Sequence, residues 1–167
     1  ESKLVIAQGM IQQWVIAHPE LNLPVTFDSW YTQPAFCRFL DQTLHLAYVG
    51  TLTEKDKVNL KTGSETLKTF AERLKQEHLE AKQVGAQPIF RPIHIDYKGE
   101  QKQYYSYCNT HLVHNFGKQR LVINHDQADL SDDPVFYIGN RLFWHAEGIT
   151  RVRRHRWPAE VYYEEGK

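Results

Sequence analysis

The chain has 167 residues, and 20 basic residues balance 20 acidic ones to give a formal net charge of zero. That length suits one domain, or one domain with an insertion, and the balance of charge excludes an acidic or basic tail. Aromatics at 13% are too rich for a disordered chain, and no run approaches the roughly 20 apolar residues of a membrane helix.

The neutral total conceals segregation. Residues 1–53 carry two bases against four acids, residues 118–133 hold Asp126, Asp129, Asp132 and Asp133, and residues 148–159 hold Arg151, Arg153, Arg154 and Arg156 with no acid. A local basic stripe can face an anion whatever the net charge. The two cysteines, Cys37 and Cys108, cannot form a disulfide framework, so a reducing compartment or simple burial is expected.

Residues 3–18 read as an amphipathic helix with Ile6, Met10 and Trp14 recurring every four residues, stopped by Pro19. Residues 24–27 (PVTF) read as a short buried strand bounded by Asp28-Ser29, residues 33–44 as a helix and 45–53 as a second strand. This alternation is an α/β pattern. Residues 54–63 read as a charged loop with Gly63 as breaker, and 64–83 as an exposed helix with a partial stripe of Leu67, Phe70, Leu74 and Leu79. Residues 87–125 alternate and are rich in Ile, Val and Tyr, with Lys98-Gly99 and Asn115-Phe116-Gly117 supplying turns, so three antiparallel strands in a meander are predicted. An acidic loop follows at 126–134, then a strand at 135–139, then helix over 144–167, interrupted or restarted at Pro158.

Two acids stand where chemistry is often placed. Asp28 ends the strand 24–27, at the edge where open α/β sheets bind ligands; it equally suits a turn cap assisted by Ser29. Glu160 lies in ITRVRRHRWPAEVYYEEGK, where helical geometry would set Arg156, Glu160, Glu164 and Lys167 on one face. Ordinary solvated helix pairs explain the same spacing.

Taken together, RWPAEVYYEEGK, with Arg156, Trp157, Glu160 and Lys167, resembles the signature around the catalytic Glu of bacterial DDE transposases of the insertion sequence 4 family and its relative, insertion sequence 701. LPVTFDSWY resembles the strand ending in that family's second catalytic Asp. The resemblance implies a ribonuclease-H-like α/β core interrupted by a β-rich insertion: core at 1–83, insertion at 84–133, and a core strand with the catalytic-Glu helix at 134–167. It implies DNA transposition, by metal-dependent phosphodiester cleavage and strand transfer at transposon ends. Asp28 and Glu160 would be two of three carboxylates holding a Mg²⁺ pair, with Mn²⁺ as a substitute, because hard cations take oxygen ligands. Arg156 and Lys167 would hold DNA phosphates, with Arg151, Arg153 and Arg154 along the backbone. Trp157 would stack on an unpaired or flipped base, or plug a helix against the sheet. Partners would be double-stranded DNA and a second copy of the chain at paired ends, in the bacterial cytoplasm near the nucleoid, with no membrane.

The chain departs from the family pattern twice. Arg153 stands where the signature has Tyr, and the family's first catalytic Asp has no counterpart before Asp28, since Glu1 and Glu20 sit at the chain end and beside Pro19. The expectation is a fragment incomplete at both ends and inactive alone. Two rivals remain: a catalytically inactive DNA-binding relative, and a non-enzymatic β-rich binding module. A zinc site at His111, His114, His125 and Cys108 is disfavoured, since i and i+3 on a strand face opposite sides. The loop at 126–133 lacks the Gly and terminal Glu of a calcium loop. The aromatics Phe90, Tyr97, Tyr104, Tyr105 and Tyr107 suit either a packed sheet face or a stacking platform.

Overall fold

The computed structural model describes residues 3–20 and 23–154, apart from the side chain of Tyr97. Helix α1 (Lys3–Ala17) leads to strand β1 (Val25–Phe27), then to helix α2 (Pro34–Arg38), which runs on into a π turn at Phe39–Thr43. Strands β2 (Tyr48–Leu52), β3 (Lys57–Leu60) and β4 (Gly63–Thr66) precede helix α3 (Leu67–Val84). Strands β5 (Arg91–Tyr97), β6 (Glu100–Val113), β7 (Gly117–His125) and β8 (Val135–Gly139) follow, and α4 (Ala146–Arg154) comes last.

All eight strands form one mixed sheet in the order β1-β2-β8-β7-β6-β3-β4, with β5 also on β6. β1 and β2 are parallel, Phe27 opposite Gly50, and every other pairing is antiparallel. The 14-residue β6 lies along β7 on one edge and divides its other edge between β5 and β3. The segments 1–83, 84–133 and 134–154 therefore share a single sheet.

Side-chain alternation divides this sheet between two cores. Tyr48, Leu121 and Ile123 face Ile11 of α1, Phe36 of α2 and Phe70 and Leu74 of α3. Val49 and Val122 face the other way and pack with Ala146 and Ile149 of α4. Ile149 is fully buried, a contribution of about 1.5–3 kcal/mol.

Helix α3 has the caps its sequence provides. The Thr66 hydroxyl accepts a hydrogen bond from the Thr69 amide, and Gly85 closes the far end at φ +69°. Its buried residues Leu67, Phe70, Ala71, Leu74 and His78 recur at helical spacing.

Three expectations need correction. The segment 54–63 is not a loop: β3 and β4 form a hairpin across it, Leu60 opposite Gly63. Val58 is the one fully buried side chain of that hairpin, so charged neighbours masked the strand pattern. The helix expected over 33–44 is a short α-helix followed by a π turn, in which the Leu44 amide reaches the Phe39 carbonyl at 3.1 Å. In α1 the inward residues are Ala7 and Ile11, while Ile6 is exposed. The helix is apolar on nearly every side, so spacing alone does not select its buried face.

Candidate functional site

β1 and β2 run parallel, so their carboxyl ends share one edge of the sheet, and Asp28 begins the turn leaving β1 there. Its Oδ1 accepts a hydrogen bond from the Trp30 amide at 3.0 Å, the Asx-type turn expected of Asp-Ser. The Thr32 hydroxyl donates to the Asp28 carbonyl at 2.9 Å and the Tyr31 amide reaches the same oxygen at 3.2 Å. Asp28 is half-buried, and among the described residues its Oδ2 makes no hydrogen bond.

Gly50 makes this turn possible. A Cβ there would lie 2.8 Å from the Phe27 ring and 3.0 Å from the Thr32 hydroxyl, so only glycine lets the turn fold against β2.

Helix α4 approaches the same edge from the second face of the sheet. Its Thr150 hydroxyl accepts from the Asn124 amide of β7 at 2.9 Å, both residues being buried. Arg153 Nε donates to the Thr51 hydroxyl of β2 at 3.0 Å. Thr51 follows Gly50, as Asp28 follows Phe27, so Arg153 is anchored one strand away at the level of Asp28. Arg154 Nη1 donates to the Tyr104 hydroxyl of β6 at 2.9 Å. The stripe is therefore not one uniform face. Arg151 is exposed, whereas Arg153 and Arg154 are half-buried against the sheet. Between them Tyr137 has its phenol pushed up, first by burial and then by Tyr104, with Arg153 and Arg154 opposing.

Arg156, Trp157, Glu160 and Lys167, and the rest of the helix expected beyond 154, lie outside the described residues. Asp28 is hence the described member of the expected carboxylate set. Among the described residues no group of three His, Cys, Asp or Glu side chains could hold a metal ion. The Asp28 carboxylate is an oxygen donor of the kind that hard cations such as Mg²⁺ take. No described helix is long and apolar enough to cross a membrane.

Sequence reasoning missed a second polar cluster. Asp132 turns inward from the acidic loop, accepting from the amides of Asp126 at 2.8 Å and Gln127 at 3.1 Å and lying 3.2 Å from Nδ1 of buried His125. Burial pushes its carboxyl up, but these bonds prevail and hold it below the ordinary value. With Glu54, Lys68 and Lys75 the pair lines a cleft of about 170 Å³ against α3. Four aspartates close together read as a solvated loop, and no spacing rule singles out the one that anchors it.

No protein-family model matches the chain, and no curated protein matches it either.

Proposed function

We propose that the chain is part of the catalytic domain of a DDE transposase that cuts and joins DNA at transposon ends, on a ribonuclease-H-like core. The observation that carries this reading is the convergence at the carboxyl end of β1. The half-buried Asp28 stands there with one carboxylate oxygen engaged in the turn, and the arginine-bearing α4 is pinned beside it through Arg153 and Thr51. In this reading Arg156, Trp157, Glu160 and Lys167, which lie outside the described residues, act together with Asp28. Asp28 and Glu160 would hold Mg²⁺, whose chemistry would be to polarise the phosphate and lower the charge developing on the attacking and leaving oxygens. Arg151 lies along the DNA backbone and contributes affinity that falls with salt.

The test uses the product of the full reading frame. Asp28→Asn retains an oxygen to cap Trp30 and removes the charge, and Glu160→Gln does the same at the other position. Both should abolish Mg²⁺-dependent cleavage of end DNA while end binding persists. Cleavage at the unaltered rate in either variant would overturn the assignment. Binding without cleavage by the unaltered protein would identify an inactive relative.

A further inference from the structure

Phe90 stands at the crossing from α3 to β5, and its ring lies between two imidazoles. His78 of α3 and His125 of β7 meet it edge to face, at centroid separations of 5.7 and 5.2 Å. Phe90 is 1% exposed, whereas Ala86, Gln87 and Pro88, which lead to it, are exposed. A hydrogen bond ties this segment back to the helix: the Phe90 backbone amide donates to Nδ1 of buried His78 at 3.1 Å.

A backbone N–H can only donate, so Nδ1 must carry a lone pair. That makes His78 a neutral imidazole with its proton on Nε2. A proton on Nδ1 would set one donor against another and would place a charge in a buried site, and both cost free energy. A carbonyl oxygen in this place would accept at any pH, but an imidazole accepts only while it is neutral.

The groups around His78 favour the neutral form. Lys82 lies one turn further along α3, His125 faces it from β7, and Tyr107 of β6 lies across the Phe90 ring at 6.2 Å. The Asp132 carboxylate of the acidic loop is engaged with Nδ1 of His125 at 3.2 Å. Burial first, then Lys82 and His125, hold the His78 imidazole below its ordinary value of 6.5.

We propose that His78 is an acid-released latch: its protonation frees the Phe90 amide, and the segment 86–90 detaches from α3 while the rest of the sheet stays folded. The bond's contribution is complete above 6.5, where His78 is neutral whether the segment is closed or open. It is lost as pH falls below 6.5, because the open segment takes up the proton first. The latch is independent of the transposition reading.

Long-range ¹H–¹⁵N NMR correlations of the histidine rings should show the His78 proton on Nε2 and a titration below 6.5. Hydrogen exchange at the Phe90 amide, corrected for its intrinsic rate, should lose about five- to tenfold of its protection between about pH 7.5 and 5.5. The Ile123 amide of β7 should keep its protection over the same range. His78→Asn places a carbonyl oxygen near the position of Nδ1 and does not titrate, so Phe90 protection should then be equal at both pH values. A proton on Nδ1 at neutral pH, constant Phe90 protection in the unaltered protein, a loss shared by Ile123, or a pH dependence that survives in His78→Asn would each overturn the proposal. The first three of these are read on the unaltered protein and hold even where the variant fails to fold.

Discussion

Replacing Gly50 with alanine should destabilise the protein and move the turn that holds Asp28. The new Cβ would sit 2.8 Å from Cε2 of Phe27, 3.0 Å from Oγ1 of Thr32 and 3.1 Å from its Cγ2. Optimal carbon contacts are about 3.5–4.0 Å, so at least one neighbour must yield. Neither yields easily. Phe27 is wedged between the rings of Phe36 and Tyr48, at centroid separations of 5.2 and 5.8 Å, and Thr32 is tied to the Asp28 carbonyl. Overpacking of this kind costs about 1–3 kcal/mol. For a chain of this size each kcal/mol lowers Tm by about 2–4 °C, so the fall should be about 2–12 °C. Gly9→Ala is the control, because nothing lies within 4 Å of a Cβ there. In mid-helix that change should stabilise by about 0.5–1 kcal/mol. Urea and thermal melts of both variants, with the Trp30 amide followed by NMR, measure the two effects. A Gly50→Ala protein with the unaltered midpoint, denaturant slope and Trp30 shift would refute the close packing of the 28–32 turn on β2.

Thr150→Val keeps the shape of the side chain but strands the buried Asn124 amide, so chemical denaturation should show a loss of about 1–3 kcal/mol; an unchanged midpoint would mean that this bond does not hold α4. Asp132→Asn tests the loop anchor. The folded carboxyl lies below its ordinary value of 3.8, so its stabilisation is complete above that value and is lost as pH falls through the folded one. The stability difference between the unaltered protein and this variant should hence shrink as the pH drops below about 4, and a difference constant across pH would contradict the anchor. Arg151→Ala, at an exposed position, should reduce the salt slope of DNA binding by about one with little change in stability, whereas an unaltered slope would remove Arg151 from the interface.

Much of the secondary structure was legible because burial leaves a period in the sequence. The meander alternates, and its turns carry the residues that tolerate positive φ: Lys98 at +52°, Gly99 at +80°, Asn115 at +69° and Gly117 at +79°. The hairpin at 57–66 was hidden because its burial rests on Val58, too little to set a pattern among lysines and threonines. The turn at Asp28 could be read from Asp-Ser, since its bonds close within four residues. The environment of the arginines could not. Arg153 meets Thr51 across 102 positions and Arg154 meets Tyr104 across 50. Charge spacing reports that a helix is basic, while strand pairing decides which of its cations turn toward the protein.

The attachment of α4 has a mechanical consequence. Thr150, Arg153 and Arg154 grip β7, β2 and β6, three different strands, within five residues of helix. Attachment to three strands resists movement of α4 over the sheet, since a roll or a slide would strain these bonds. The orientation of α4 up to Arg154 is thereby set by the twist of the sheet. A strain applied to β6 or β7 would be felt at the end of α4 beside Asp28, which makes the sheet itself the lever between those strands and that edge.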